Sequence, residues 1–193
     1  MRGIIFRTYL NFIKEKFGYE KLDEILQEDT YPNDGGFSSA GNYSSRYLTS
    51  LVSNSMHLYD NSKDKVLEAF GRFSFQHLLD RFKKSYDGSI TPLHTNNAYD
   101  FLESLNIIHF DELKKLYPEA HFPKFDIQRI DVEHIVIEYS SPRNFPYLVN
   151  GLIKGCLEYF NDDSTLKMKT TNRFKNINNV KCRVYQFEVM KNG

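Results

Sequence analysis

The sequence contains no tryptophan, only two cysteines among 193 residues, and no excess of charge of either sign. Two cysteines, Cys156 and Cys182, exclude a disulfide-based scaffold and favour a reducing compartment. The 25 basic and 25 acidic side chains cancel, which removes a global electrostatic attraction to nucleic acid or to an anionic membrane. No apolar run reaches the roughly 18–20 residues of a membrane-spanning helix, and no secretory signal follows Met1. We therefore expect a cytoplasmic protein that binds neither nucleic acid nor membrane.

Motifs of the common enzyme classes are also missing. Gly35-Gly36 lacks both the glycine spacing and the lysine of a phosphate-binding loop. The sequence has no nucleophile elbow and no zinc-type spacing of cysteine and histidine. No uninterrupted apolar or charged stripe marks a contact surface. These absences favour a binding protein over an enzyme.

Aromatic residues are plentiful, with 13 tyrosines and 16 phenylalanines, and 40% of the chain is hydrophobic, which is enough for a packed core. Helical periodicity dominates the first half, where Gly18 is expected to end one helix and Gly71 to interrupt another. After Pro123 the period becomes two, as in strands. The spacing predicts strands over 125–130, 134–139, 166–171 and 181–190, a helix over 145–160 and a polar loop over 172–179. The predicted class is α+β, with a helical N-terminal lobe and a C-terminal lobe that combines an antiparallel sheet with helices.

Two groups of residues could bind a ligand. His109 lies on an apolar helical face, where an imidazole either ligates a haem iron or is an ordinary hydrogen-bonded core histidine. Tyr139, Ser141 and Arg143 follow the strongest predicted strand and share one face if the extended geometry continues. Three donors on one face would suit a pair of carboxylates, although a strand end with a solvated arginine has the same pattern.

Several segments together resemble a known family. They are Met1-Arg2-Gly3-Ile4-Ile5-Phe6, Glu68-Ala69-Phe70-Gly71-Arg72, Ile108-His109 with the residues after it, and Gly151-Leu152-Ile153-Lys154-Gly155. The strongest match is the Y-x-S-x-R pattern formed by Tyr139, Ser141 and Arg143. The chain resembles the H-NOX (haem–nitric oxide/oxygen binding) domain, of the bacterial stand-alone type related to the haem domain of soluble guanylate cyclase.

This resemblance implies a single domain over residues 1–193, with haem b between a helical lobe of about residues 1–60 and a second lobe of about 61–190. It makes His109 the axial ligand of the iron and assigns Tyr139, Ser141 and Arg143 to the haem propionates. The residues that it places on the distal wall are Ile5, Tyr9, Phe70, Ser74 and Leu148.

The implied function is a haem-based sensor without catalytic turnover, which binds nitric oxide or carbon monoxide at ferrous iron. The bond between His109 and the iron would act as the switch, because nitric oxide weakens the ligand opposite to it. The signal would pass to a separate effector, such as a histidine kinase or a cyclic-di-nucleotide enzyme. The alternative function is a haem-independent interaction or redox-sensing module. A haem enzyme is disfavoured, since no distal pair of histidine and arginine is recognisable.

The chain also departs from the family pattern. Leu148 occupies the position where some members carry a tyrosine that donates a hydrogen bond to oxygen, Ser74 replaces an asparagine, and Tyr9 replaces a tryptophan. We therefore expect nitric oxide and carbon monoxide to bind and oxygen not to, unless the Tyr9 hydroxyl reaches the pocket. Cys182 stands alone where some bacterial relatives have a zinc-binding cysteine cluster, so no zinc is expected.

Overall fold

The computed structural model describes residues 1–85, 95–107 and 123–192. Its helices are α1 (Gly3–Gln27), α2 (Ser45–Asn54), α3 (Lys63–Ser85), α4 (Ala98–Glu103) and α5 (Pro146–Tyr159), with short 3-10 turns at Pro32–Gly35 and Met56–Leu58. Its strands are β1 (Lys124–Asp131), β2 (His134–Ser140), β3 (Thr165–Ile177) and β4 (Val180–Met190). Over these described ranges, every helix is too short or too polar to cross a bilayer.

The four strands form one antiparallel sheet in the order β1-β2-β4-β3. Alternate residues of β2 and β4 are buried on the face that packs against α5, and Ile135, Ile137 and Phe187 have no exposed surface. Period-two burial of this kind is what the sequence pattern predicts for a sheet covered on one side. The predicted α+β class is therefore confirmed.

Helix α3 contributes to two hydrophobic clusters. Its first half packs with α1 and α2, where Phe6, Tyr9, Phe12 and Phe70 are buried together. Phe75 and the turns that follow belong to the second cluster, with α4, α5 and the sheet. Because α3 belongs to both, it joins the helical part of the molecule to the sheet.

Gly18 ends the first helical segment as predicted. Its backbone lies at φ 87° and ψ 173°, in a region that glycine enters without the steric cost paid by residues with a Cβ. The chain then resumes helical geometry up to Gln27. Helix α1 thus consists of two segments that meet at a kink at Gly18.

The polar loop predicted over 172–179 is wrong. Strand β3 continues to Ile177, and β4 begins at Val180. Only Asn178 and Asn179 form the turn, with φ of 49° and 63°, values typical of a two-residue hairpin that asparagine tolerates. The polar composition concealed this extension, because most β3 side chains face solvent.

The interruption predicted at Gly71 is also wrong, since α3 passes through it without a break. Gly71 instead lets α5 approach closely. A Cβ at Gly71 would collide with the Leu148 carbonyl oxygen, and a Cβ at Gly151 would collide with that of Glu68. A Cβ at Gly155 would lie 2.7 Å from the Arg72 carbonyl oxygen. Glycine is therefore needed for helix crossing at these positions.

Gly151→Ala is expected to destabilise the protein by about 1–3 kcal/mol, because the added methyl forces the backbones of α3 and α5 apart. Urea unfolding followed by circular dichroism measures the change. Glu158→Ala, on the exposed side of α5, is the control. It removes only an exposed ion pair with Arg72, worth about 0–1 kcal/mol. Equal unfolding free energies for the two variants would contradict close packing at Gly151.

Candidate functional site

Tyr139, Ser141 and Arg143 come together at the end of β2, but by a turn and not by continued strand geometry. The strand stops at Ser140. The Ser141 Oγ accepts a hydrogen bond from the Arg143 backbone N–H at 3.2 Å. The buried Tyr139 hydroxyl accepts one from the Phe145 backbone N–H at 3.3 Å. These two bonds hold the chain between β2 and α5 in a compact turn.

The charge in this turn has no partner of opposite sign among the residues that the structure describes. The Arg143 side chain is half-buried, and desolvation lowers the pKa of its guanidinium. Within 1–85, 95–107 and 123–192, no acidic side chain contributes to the charge environment of Arg143; the Tyr139 hydroxyl and the Met1 ammonium group do. Burial in turn raises the pKa of Tyr139. A half-buried guanidinium near the Tyr139 hydroxyl favours an anion that accepts several hydrogen bonds, such as a carboxylate.

The Tyr9 hydroxyl is occupied inside the helical core. It donates to the Ser55 Oγ at 2.8 Å and lies 3.3 Å from the Leu51 carbonyl oxygen. The side chain is fully buried, and burial raises the pKa of its hydroxyl. Ser55 donates its own proton to the Leu51 carbonyl at 2.7 Å. The hydroxyl is therefore fixed toward the end of α2.

The Ser74 hydroxyl also forms a hydrogen bond within its own helix. Its Oγ donates to the Phe70 carbonyl oxygen, one turn earlier in α3, at 2.6 Å. Phe70 is buried with its ring centroid 4.8 Å from that of Tyr9. The structure thus places these two distal-wall candidates on one stretch of α3 and brings Phe70 against Tyr9.

Ile5 and Leu148 complete the group at the edge of the same cluster. Both are half-buried and pack against the helical core. The hydroxyl of the neighbouring Tyr147 bonds to Asp64, whose charge is the main cause of the raised pKa of Tyr147. The Tyr147 hydroxyl therefore points to the start of α3, and the apolar Leu148 packs against the helical core.

The predicted axial ligand His109 lies outside the described residues, as do His94 and His121. Both cysteines are buried and free, and burial raises the pKa of the Cys156 thiol. A buried thiol of raised pKa is a poor redox sensor. In the described part of the chain, no group of three or more histidine, cysteine or acidic residues is arranged to hold a metal ion.

Sequence reasoning missed the residues that bond the candidate side chains. Ser55 is 46 positions from Tyr9, and no motif links them. The Phe145 backbone N–H was also unforeseen, because it bonds to Tyr139 only through the turn after β2. Neither partner has a local sequence signal, since both contacts depend on chain folding.

Comparison with known proteins shows the family to which this fold belongs. The family model described as "Haem-NO-binding" matches residues 2–168. The unliganded Fe(II) H-NOX protein of K. algicida is 26% identical, with a TM-score of 0.77, and the match covers 100% of this chain and 97% of that one. The S. oneidensis H-NOX protein in the Fe(II)NO state is 22% identical, with a TM-score of 0.77 and coverage of 99% and 100%.

The I5F mutant of the T. tengcongensis H-NOX protein shares 15% identity and a TM-score of 0.77, with coverage of 98% of this chain and 97% of that one. No curated protein matches the chain. Since the family model spans most of the sequence, the chain belongs to the haem–NO-binding family, that of the H-NOX domains.

Proposed function

We propose that this protein is a haem-based gas sensor, without catalytic turnover, that binds nitric oxide at ferrous haem b. The observation that carries the proposal is Arg143, a half-buried cation beside Tyr139 and Ser141 with no acidic partner among the described residues. The family match supports the same function. In this proposal residues 1–193 form one cytoplasmic domain, with haem between a lobe of about 1–60 and one of about 61–190.

The residues at the turn after β2 fit the carboxylates of haem. Arg143 would bind the propionates through its guanidinium, and the Tyr139 and Ser141 hydroxyls would add hydrogen bonds. His109 would supply the axial imidazole. When bound, haem provides a ferrous iron with an open position for a diatomic gas. The protein's part is to hold the carboxylates and to shape the space around that position.

Ile5, Tyr9, Phe70, Ser74 and Leu148 would form the distal wall and exclude water from it. Ile5, Phe70 and Leu148 contribute only apolar atoms. The Tyr9 and Ser74 hydroxyls already donate to Ser55 and to the Phe70 carbonyl oxygen. Such a wall offers a gas no hydrogen-bond donor from these residues, which favours nitric oxide and carbon monoxide over oxygen.

The reduced, haem-loaded protein is expected to bind nitric oxide and carbon monoxide but to form no stable complex with oxygen in air. A hydrogen bond to a charged acceptor is worth about 1.5–3 kcal/mol, or roughly one to two decades of affinity, and this wall supplies none. Visible spectra recorded during exposure to air test the expectation.

Tyr9→Phe is the informative variant. It should leave the gas selectivity unchanged and reduce stability by about 0.5–1.5 kcal/mol, since only a buried internal hydrogen bond is lost. A persistent oxygen-bound spectrum in the wild type that Tyr9→Phe abolishes would show that the hydroxyl leaves Ser55 and faces the gas.

The proposed sensor signals to a separate effector, such as a histidine kinase or a cyclic-di-nucleotide enzyme. The test of the whole proposal is the visible spectrum of the purified protein after supplementation with haem. A strong Soret band that shifts with nitric oxide is expected. Failure to bind haem would instead favour a haem-independent interaction or redox module, although the buried Cys156 thiol is unsuited to the redox role.

A further inference from the structure

The charge of this neutral chain is unevenly distributed. The hairpin of β3 and β4 carries six of the 25 basic side chains and one of the 25 acidic ones, Glu188. Along the chain these cations are separated by uncharged residues, so no basic run is visible. Pairing of the two strands collects them on one element, and the rest of the chain is left net acidic.

Two of these cations hold the end of the hairpin over the sheet. Arg173 pairs with Glu138 on β2, and Lys175 pairs with Asp126 on β1. A flat β3 would lie three strand spacings, about 14 Å, from β1, which exceeds the reach of this ion pair. The hairpin end must therefore bend across the face opposite α5. The register shift between Thr170 and Phe174 is the kind of irregularity that bends a strand.

The other side of the bent end carries an exposed aromatic and cationic group, here called the hairpin patch: Phe174, Lys181 and Arg183. Phe174 is 44% exposed. The Lys181 Nζ lies 4.6 Å from the centre of the Phe174 ring, and the Arg183 guanidinium carbon lies 5.2 Å from it. In the parts of the chain that the structure describes, the ion pairs of this hairpin are those of Arg173, of Lys175 and of Glu188 with His134, and none of them includes Lys181 or Arg183.

We propose that the hairpin patch binds an acidic segment of a separate protein. Two carboxylates of that segment would pair with Lys181 and Arg183, and an apolar side chain between them would cover Phe174. Stacking on the ring restrains both cations before binding, which reduces the entropy lost when a partner orders them. The patch thus combines an aromatic anchor with charges of one sign, as interface hot spots do.

A second copy of this chain is a poor occupant, because a two-fold contact of the patch with itself would oppose four cations. A bilayer or a nucleic-acid backbone is also disfavoured, because recognition of anionic lipid or of nucleic acid draws on a larger group of cations than the two of this patch. A short acidic segment matches two cations that flank one aromatic ring.

This proposal deepens the proposed function, because it gives the chemistry of the surface that an effector would contact. It rests on the proposed function only where it takes the partner to be an effector. Binding of an acidic segment does not require haem. The patch shares no residue with the turn of Tyr139, Ser141 and Arg143, so its variants should keep the haem spectrum unchanged.

The experiment uses the full chain and a fluorescein-labelled peptide of four Glu-Glu-Leu repeats, followed by fluorescence anisotropy at low salt. We expect saturable binding that Lys181→Glu with Arg183→Glu weakens by at least about tenfold and Phe174→Ala by about threefold or more. The matched control is Lys14→Glu with Lys16→Glu. There, Lys14 lies 5.5 Å from the centre of the Tyr19 ring, which is 68% exposed, and affinity should change less than twofold.

Equal weakening of peptide binding by Lys14→Glu with Lys16→Glu would overturn the proposal, because binding would then depend on exposed cations in general and not on the hairpin patch. Tighter binding of phosphatidylglycerol vesicles or of a DNA oligonucleotide than of the peptide would overturn it as well. Circular dichroism shows whether each variant is folded. A protein that takes up no haem but still binds the peptide through the patch would refute the sensor function and leave this inference standing.

Discussion

His109→Gly is expected to abolish most haem binding, and free imidazole is expected to restore it. In the proposed site the bond from His109 to the iron would link haem covalently to the protein, and the contacts at the turn after β2 would be hydrogen bonds and an ion pair. Glycine at this position removes the ligand and leaves a space that imidazole can fill. The Soret absorbance per protein, with and without imidazole, measures both effects.

His94→Gly and His121→Gly are the controls, since these are the nearest histidines in the sequence. Neither should change the haem content. An unaltered histidine-ligated spectrum in His109→Gly would refute the assignment, and loss of that spectrum in one of the control variants would identify the true ligand. Loss of haem in all three variants alike would point to a general effect on folding, which circular dichroism of each variant detects.

Arg143→Ala is expected to lower haem affinity by about one to two decades while leaving the haem-free fold at least as stable. A charge-assisted hydrogen bond contributes about 1.5–3 kcal/mol, which converts to that range of affinity. The haem-free protein should not lose stability, because no acidic side chain among the described residues sits beside Arg143. A half-buried guanidinium without a partner is a cost to folding.

Two measurements separate this expectation from a general structural defect. Titration of the haem-free protein with haem gives the affinity, and urea unfolding of the same preparation gives the stability. Arg143→Lys retains the positive charge but not the planar guanidinium with its paired N–H donors. Its haem affinity should therefore lie between those of Arg143→Ala and the wild type. Unchanged haem affinity in Arg143→Ala would remove Arg143 from the proposed propionate site.

Several features were predictable because they depend on local chemistry. Gly18 ends a helical segment since its φ of 87° suits glycine. Strand β2 follows from a run of alternating residues whose inward set, Ile135, Ile137 and Tyr139, is buried. The class α+β follows from the change of hydrophobic period after Pro123. The order and spacing of Tyr139, Ser141 and Arg143, in register with His109 and the N-terminal segment, indicated the family without any structure.

Other features depend on partners that are distant in the chain. The Tyr9 hydroxyl was ambiguous in sequence, and only the packing of α1 against α2 shows that it bonds to Ser55. Gly71 resembles a helix breaker, yet it provides the contact with the Leu148 backbone.

The sequence by itself determined the class of fold, the family and the chemical types of the candidate ligands, because periodicity and short motifs are local properties. The tertiary structure decided which hydroxyls are already engaged, which cation has no acidic partner in the described part of the chain, and where the cations of β3 and β4 gather. Those properties depend on pairs of residues far apart in the chain. Lys175 and Asp126, for example, meet only because the hairpin bends across the sheet.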